Sequence, residues 1–257
     1  MRTLLYAFFL IFIGSRCLAA TTLTVGISTG YPPYYYEENE TVTGLCVDII
    51  NGVAQEMHLD INYKIFPWKR LLANARKGSV DAIMPLFRTK EREQFLYFDG
   101  LGIAFETNHF FTRKDFPVKY NGDFQNIEKY NLGVVTDYSY GEAFDTYQNF
   151  HKVVTTSDKH LIEMFAHHRF DIGVGNRYVT LFYANKQNVG DKNKFIEPPI
   201  TKEMLYFGIT RKGDHHQLAK QFAEALQRFK KTRKYQNIYQ KYKLSDEEQS
   251  SLGHGKK

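Results

Sequence analysis

The stretch from residue 67 to 92, PWKRLLANARKGSVDAIMPLFRTKER, constrains this chain more than any other. Leu71, Leu72 and Ala75 fall on one face of a helix, Gly78 supplies its stop, and residues 80–84 read as a short apolar strand interrupted only by Asp81. Trp68 and Arg70 stand at the helix start, and Arg88 and Arg92 follow the strand. An aromatic plate and fixed cations gather at one end of a helix–strand unit, where open α/β sheets place ligands. That end suits a small anion. The same unit recurs at an offset of 90 residues, with Leu161, Ile162 and Phe165 in place of Leu71, Leu72 and Ala75, and Asp171-Ile-Gly-Val-Gly-Asn176 in place of Asp81-Ala-Ile-Met-Pro-Leu86. Two copies predict two similar lobes whose strand ends point at a shared cleft. Helix–strand units also resemble one another by physics alone, so the pattern by itself leaves chance open.

The N-terminus reads as a secretory leader. Arg2 supplies the positive start, residues 4–13 an unbroken apolar core of ten residues, and Cys17-Leu-Ala-Ala20 a small-residue exit. Ten is too few for a bilayer, which needs about 20. Cleavage is expected after Ala19 or Ala20, and Arg16 argues against a lipid anchor on Cys17. No later segment is long and apolar enough to span a membrane, so the mature chain is expected to be soluble and exported. Cys46, within Leu45-Cys-Val47, reads as a buried thiol without a partner for a disulfide. Neither the paired histidines 167–168 and 215–216 nor any Cys–His spacing fits a metal, and no nucleotide or catalytic-serine motif occurs, so neither metal nor cofactor is expected. The net charge of +6 falls to +4 when Arg2 and Arg16 leave with the leader. The remaining lysines lie near the C-terminus, opposite the apolar faces Phe222, Leu226, Phe229 and Tyr235, Ile238, Tyr239, Tyr242. This is an ordinary solvated surface rather than a nucleic-acid face. Residues 245–257 have little to bury and are expected to be disordered.

Between these ends, strands and helices alternate. Strand 23–27 runs into the stiff aromatic loop Tyr31-Pro-Pro-Tyr-Tyr-Tyr36, followed by a helix with Ile50, Val53, Ala54 and Met57 on one face, then strand 61–65. After an extended crossing at 110–113 come strand 132–135, a helix with Ala143, Phe144 and Tyr147, strand 153–155, helix 161–165, strand 172–174 and helix 178–186. Residues 205–210 form a strand positioned to cross back. The order and spacing of Val25-Gly26, Tyr31-Pro-Pro-Tyr34, Thr43-Gly-Leu-Cys-Val-Asp48, Gly78-Ser-Val-Asp-Ala-Ile83, Thr89-Lys-Glu-Arg92, Leu132-Gly-Val-Val135, Asp171 and Tyr206-Phe-Gly-Ile-Thr-Arg-Lys212 resemble the family 3 periplasmic solute-binding proteins. The resemblance covers the mature chain to Leu244. It implies an α/β fold of two lobes, each a mostly parallel sheet flanked by helices, joined by two crossing strands and closing on a ligand by a hinge. The expected organisation is a signal peptide at 1–20, one lobe from 21–112 and 204–245, a second from 113–203, and a tail at 246–257. The implied partners are a small-molecule ligand and an ABC permease or a membrane sensor, for a protein read as a periplasmic monomer.

The resemblance also assigns site residues. Tyr31, with Tyr34 in the same loop, falls where a ligand-stacking aromatic stands, and Trp68 where a second one does; either is also compatible with a plain packing role. Arg92 matches the arginine that clamps a ligand carboxylate, for which a planar fork is better suited than a lysine. Arg70 either adds a second positive charge to the cleft or lies on the outer helix face. Three departures bear on the ligand. Phe87 replaces a hydroxyl, and Asp137-Tyr138-Ser139 replaces a glycine–threonine turn. Asn176 stands where the family keeps the carboxylate that pairs with the ligand ammonium, and a neutral amide brings no countercharge. These departures predict a small carboxylate-bearing metabolite, amino-acid-like or aromatic, whose α-ammonium is absent or weakly held between Tyr31, Trp68, Phe87 and Tyr138. An enzyme of the cyclohexadienyl dehydratase type is the alternative, and Asp137 and Glu142 are the second-lobe carboxylates expected near its cleft mouth.

Overall fold

The computed structural model describes residues 21–242; the expected leader (1–20) and tail (246–257) lie outside them. In chain order the strands and helices are β1 (Thr21–Ile27), β2 (Tyr36–Glu38), β3 (Thr41–Thr43), α1 (Leu45–Glu56), β4 (Leu59–Ile65), α2 (Trp68–Lys77), β5 (Ala82–Phe87), α3 (Lys90–Glu93), β6 (Leu96–Tyr97) and β7 (Gly102–Arg113). They continue with β8 (Asn131–Val135), α4 (Glu142–Thr146), β9 (His151–Thr155), α5 (Asp158–Ala166), β10 (Ile172–Asn176), α6 (Arg177–Lys186), β11 (Asn193–Thr210), α7 (His216–Phe229) and α8 (Arg233–Tyr242). None of these helices is long and apolar enough to cross a membrane.

The main sheet runs β4-β1-β5-β11-β7-β10-β8-β9, with β6 added on β11. The order is nearly a palindrome. On one side β1 pairs in parallel with β4 and β5; on the other, β8 pairs in parallel with β9 and β10. Each triad is a strand–helix–strand–helix–strand unit with its first strand in the middle, and the antiparallel pair β7–β11 joins them. The repeated aspartates make the same bonds in both units. Asp81 Oδ2 accepts from the Thr24 backbone N–H at 2.8 Å, and Asp171 Oδ2 from that of Asn131 at 3.0 Å. Each carboxylate thus fastens its own strand to the first strand of its triad. The 90-residue repeat read from sequence is a repeat of structure.

The expected elements form, most with longer bounds; the strand expected at 80–84 is shifted to Ala82–Phe87, and α4 stops at Thr146, short of Tyr147. Gly78 ends α2 at φ 76°, a backbone setting that costs other residues more. The return strand begins at Asn193 rather than at 205, and it pairs with β7 twice, through 193–196 and again through 201–206. Residues 197–200 fall out of register between the two stretches, a local break that bends such a pair. No alternation betrays a strand there, because Glu197-Pro-Pro-Ile200 interrupts it. α7 and α8 return to cover α1, where Phe222, Phe229, Tyr235 and Tyr239 join Val53 in one buried cluster. Tyr239 also donates to the Ile103 carbonyl at 3.0 Å, tying the C-terminal helix to β7.

Across β7 and β10, Phe111 lies opposite Gly173, and a Cβ at Gly173 would stand 2.1 Å from the Phe111 ring. Gly173→Ala is therefore expected to lose about 1–3 kcal/mol of stability through overpacking. Adding Phe111→Leu should recover part of the loss. Urea unfolding of the single and double variants measures both; an unaffected single variant would show that the ring yields freely.

Candidate functional site

The loop after β1 is a closed turn. The Tyr31 N–H donates to the Tyr35 carbonyl at 2.7 Å, and the first turn of α1 bonds back to the Pro33 and Tyr34 carbonyls at 2.9 Å each. This fixes Tyr31, whose ring packs 5.6 Å from Tyr34 and 5.9 Å from Tyr35. Trp68 is the first residue of α2, so its indole projects from the helix end toward the other lobe. The Thr89-x-x-Arg92 motif has a local cause: the Thr89 hydroxyl caps the short α3 by accepting the Arg92 N–H. Arg92 is held there at 6% exposure, its guanidinium 5.3 Å from the Trp68 ring centre. One arm donates to the Phe87 carbonyl at 2.9 Å. Burial pulls this guanidinium down to about 10, so it keeps its charge at neutral pH.

The opposite wall comes from the turn after β8. Asp137 adopts a left-handed backbone, φ 58°, and its carbonyl faces the first lobe. That one oxygen accepts from Trp68 Nε1 at 2.8 Å and from Arg92 at 3.1 Å. Tyr138 stands edge-on to Trp68 (5.6 Å) and to Tyr31 (6.3 Å), and its hydroxyl donates to Asp158 at 2.8 Å. Asp158 is buried in the first turn of α5, and burial pushes its carboxyl up to about 6, against the opposing pull of the Tyr138 bond. Three further bonds cross between the lobes: Tyr183 to the Gly30 carbonyl at 2.6 Å, the Asn176 amide to the Tyr34 hydroxyl at 3.2 Å, and Lys90 to the exposed Glu142 carboxylate at 3.3 Å.

Between these walls lies a small, partly open cavity of about 40 Å³. Tyr31, Trp68, Phe87 and Tyr138 give it aromatic sides, while Arg92, Glu106 and Ser139 are its polar members. The lobes here are drawn together, and an amino-acid-sized body needs them farther apart. Arg92, Tyr138 and Ser139 also border a wider cleft of about 920 Å³ that opens beside it and carries Lys90, Glu142 and Asp145. Burial, then the charges of Glu106 and Asp158, push the Tyr31 phenol well above its ordinary range.

Six of the nine residues expected at the site line this cavity: Tyr31, Trp68, Phe87, Arg92, Tyr138 and Ser139. Three do not. Arg70 is on the exposed face of α2, because the helical turn that buries Trp68, Leu71 and Leu72 rotates position 70 outward. Asn176 caps α6, accepting from the Tyr178 and Val179 N–H groups, so its oxygen is engaged and its amide is turned to Tyr34. Tyr34 is fully buried and donates to the Phe105 carbonyl at 2.9 Å. Two carboxylates were missed. Glu106, 5% exposed, was signalled by a charge inside the apolar crossing strand Gly102–Arg113. Asp158 carried no distinct signal, since an acidic residue in a helix's first turn is ordinary dipole pairing. Asp137 and Glu142 border the wide cleft and are exposed, whereas Glu106 and Asp158 are buried.

The profile of the bacterial extracellular solute-binding proteins, family 3, matches residues 23–245. The probable amino-acid-binding protein YxeM of Bacillus subtilis (strain 168) is 20% identical over 226 residues, 86% of this chain and 83% of that protein. Among solved structures, a histidine kinase sensor domain with similarity to periplasmic binding proteins superimposes with a TM-score of 0.77 at 19% identity, covering 87% of this chain and 96% of that one. An ancestral arginine-binding protein bound to arginine gives 0.75 at 19% identity, covering 87% and 98%.

The raised Asp158 carboxyl makes stability depend on pH. Between about 4 and about 6 the folded protein retains a proton that the unfolded chain has released, so its contribution to stability falls as pH rises through that window. Asp158→Asn should flatten this slope and add about 1–3 kcal/mol at pH 7. Urea unfolding at several pH values from 4 to 7 tests it. An unchanged slope would mean the carboxylate is solvated.

Proposed function

The chain belongs to the family 3 bacterial extracellular solute-binding proteins, and from that premise we propose that it encloses a small carboxylate-bearing metabolite, amino-acid-like or aromatic, between its two lobes. One observation carries the reading: Trp68 Nε1 and Arg92 converge from one lobe on a single oxygen of the other, the Asp137 carbonyl. Two donors, one of them charged, aimed at one point make a seat for a carboxylate oxygen. In the drawn-together arrangement the chain's own carbonyl takes that seat. When the lobes part, the donors turn to the ligand, whose carboxylate makes stronger, charge-assisted bonds than a neutral carbonyl does. The aromatic walls then cover the ligand body, and low surrounding polarity strengthens each polar contact.

The same reading places the hinge in the paired strands β7 and β11, where residues 197–200 interrupt the register, with lobes of 21–112 plus 204–245 and 113–203. The chain acts after export, as the extracellular family and the leader-like N-terminus support, and delivers its ligand to an ABC permease or a membrane sensor. The likeness to a histidine kinase sensor domain supports a sensor outlet, and the likeness to a probable amino-acid-binding protein supports an amino-acid-like ligand. Binding rather than turnover fits the cavity, because Asp158 and Glu203, two carboxyls whose proton affinity burial raises, do not line it.

A thermal-shift screen of carboxylic and amino acids should yield a ligand, since binding to the folded state raises stability by mass action. Calorimetry with that ligand should then show Arg92→Ala losing about 2–5 kcal/mol of binding free energy. Native affinity in the variant would remove Arg92 from the site. Small-angle scattering of the unaltered protein should show a single, compact population at saturation; a distribution as broad as without ligand would count against closure.

A further inference from the structure

We propose that Asp158 is a positioning residue of the binding cleft: it sets the Tyr138 wall from behind and makes the drawing together of the lobes depend on proton uptake. It rests on the reading that the lobes part and close, and goes beyond it. Asp158 is the first residue of α5 and is buried. Its Oδ2 accepts the Tyr138 hydroxyl at 2.8 Å, and the Tyr138 ring in turn stands edge-on to Trp68 and Tyr31 of the other lobe. The groups that face this carboxyl come from both lobes. Tyr31 and Tyr35 lie on the loop after β1, Tyr138 and Tyr140 on the turn after β8, and Tyr183 on α6; the Asp158 charge acts on all five phenols. On its own helix, Lys159 is exposed and pairs with Glu163 at 3.8 Å, while His160 meets Thr156 at 3.3 Å. Among the described residues Asp158 forms no ion pair, so its carboxylate is answered by a hydroxyl rather than by a cation.

This burial is a product of closure. Tyr138 and Tyr183 belong to the second lobe but pack against the large core of the first as well, and Tyr183 donates to the Gly30 carbonyl at 2.6 Å. Parting the lobes lifts Tyr31 and Tyr35 away and admits water to the carboxyl. A buried carboxylate without a cation is costly, whereas the protonated acid is not. In the drawn-together state burial raises the Asp158 carboxyl to about 6, against the pull of the Tyr138 hydroxyl and its own backbone N–H. The five phenols are pushed above their ordinary range, so within this cluster only the carboxyl changes charge between about pH 4 and about pH 7. In the parted state it returns toward its ordinary value near 4, and the closed state therefore holds the extra proton. Closure is favoured as pH falls through about 6 and disfavoured as it rises. The closed-to-parted ratio should increase about tenfold from about pH 7 to about pH 5. A carboxylate-bearing ligand brings a further negative charge into the closed cleft and favours the same protonated form.

Trp68 reports on this directly, because it is the chain's one tryptophan, is buried, and donates its Nε1 across the cleft to Asp137. Its emission is followed from about pH 4.5 to about pH 8 on the ligand-free chain, with small-angle scattering for size and circular dichroism to confirm the fold. The same measurements are made on Tyr183→Phe, which lacks one cross-lobe bond and brings the parted state within reach. At least one of the two should shift to longer wavelength and larger radius as pH rises through about 6. Asp158→Asn, made in both backgrounds, should hold the short-wavelength emission over the whole range, and Asp158→Glu should bring back part of the dependence. Tyr138→Phe removes a donor to the ionised form, so its midpoint should lie at higher pH. The proposal alone falls if the shift persists in Asp158→Asn. It falls equally if the Tyr138→Phe midpoint does not rise, whether or not Asp158→Asn folds. If neither starting chain changes emission or radius at any pH, the lobes do not part, and the hinge reading falls with it.

Discussion

The antiparallel pairing of β7 with β11 is the interaction on which the rest of this structure depends. Within the sheet each parallel triad joins the other through these two strands, so their hydrogen bonds fix where both sets of strand ends point. The pair is anchored on both sides by packing. Ile103, Ala104, Leu205 and Phe207 belong to the core under α1 and α7, while Phe110 and Phe111 are buried in the clusters of the second triad. Between these anchors the register slips at 197–200, and there His109 and Arg177 both approach the Glu197 carboxylate, at 3.5 and 3.6 Å. Firm ends with a break between them suit a joint that keeps two rigid bodies in line while letting them rotate.

Placing the cleft across that joint explains its chemistry. Glu106, buried on the crossing strand β7, lines the small cavity from the pair itself. The other polar members are held by local devices. Arg92 is fixed by the Thr89 cap and the Phe87 carbonyl, Tyr138 by Asp158, and Tyr31 by the closed turn that bonds to α1. Held side chains lose little further freedom on binding, which is where a preorganised site gains over a loose one. The aromatic edges between them exclude water and so raise the weight of each charge.

Much of this was legible in the residues. The apolar spacing of Leu71, Leu72 and Ala75, the stop at Gly78 and the repeat at Leu161, Ile162 and Phe165 announced two units, because helical faces and strand ends are local consequences of sequence. The cap within Thr89-x-x-Arg92 is equally local, since the Thr89 hydroxyl accepts from the backbone N–H three places on. Arg70 was harder, because its side of the helix depends on which neighbours α2 finds. Asn176 misled for a related reason: a residue at a strand end can face the cleft or cap the next helix, and the following Tyr178 and Val179 N–H groups claimed its oxygen.

The sequence by itself determined the two duplicated units, their aspartate fasteners and the aromatic and arginine residues of the first lobe's cleft edge. Only the tertiary structure decided which carboxylates stand beside them. Glu106 and Asp158 lie 52 residues apart in the chain, and both are more than 70 residues from Tyr31. Their shared surroundings arise from long-range strand pairing and lobe packing, and the energy of a buried charge depends on those surroundings rather than on its neighbours in sequence.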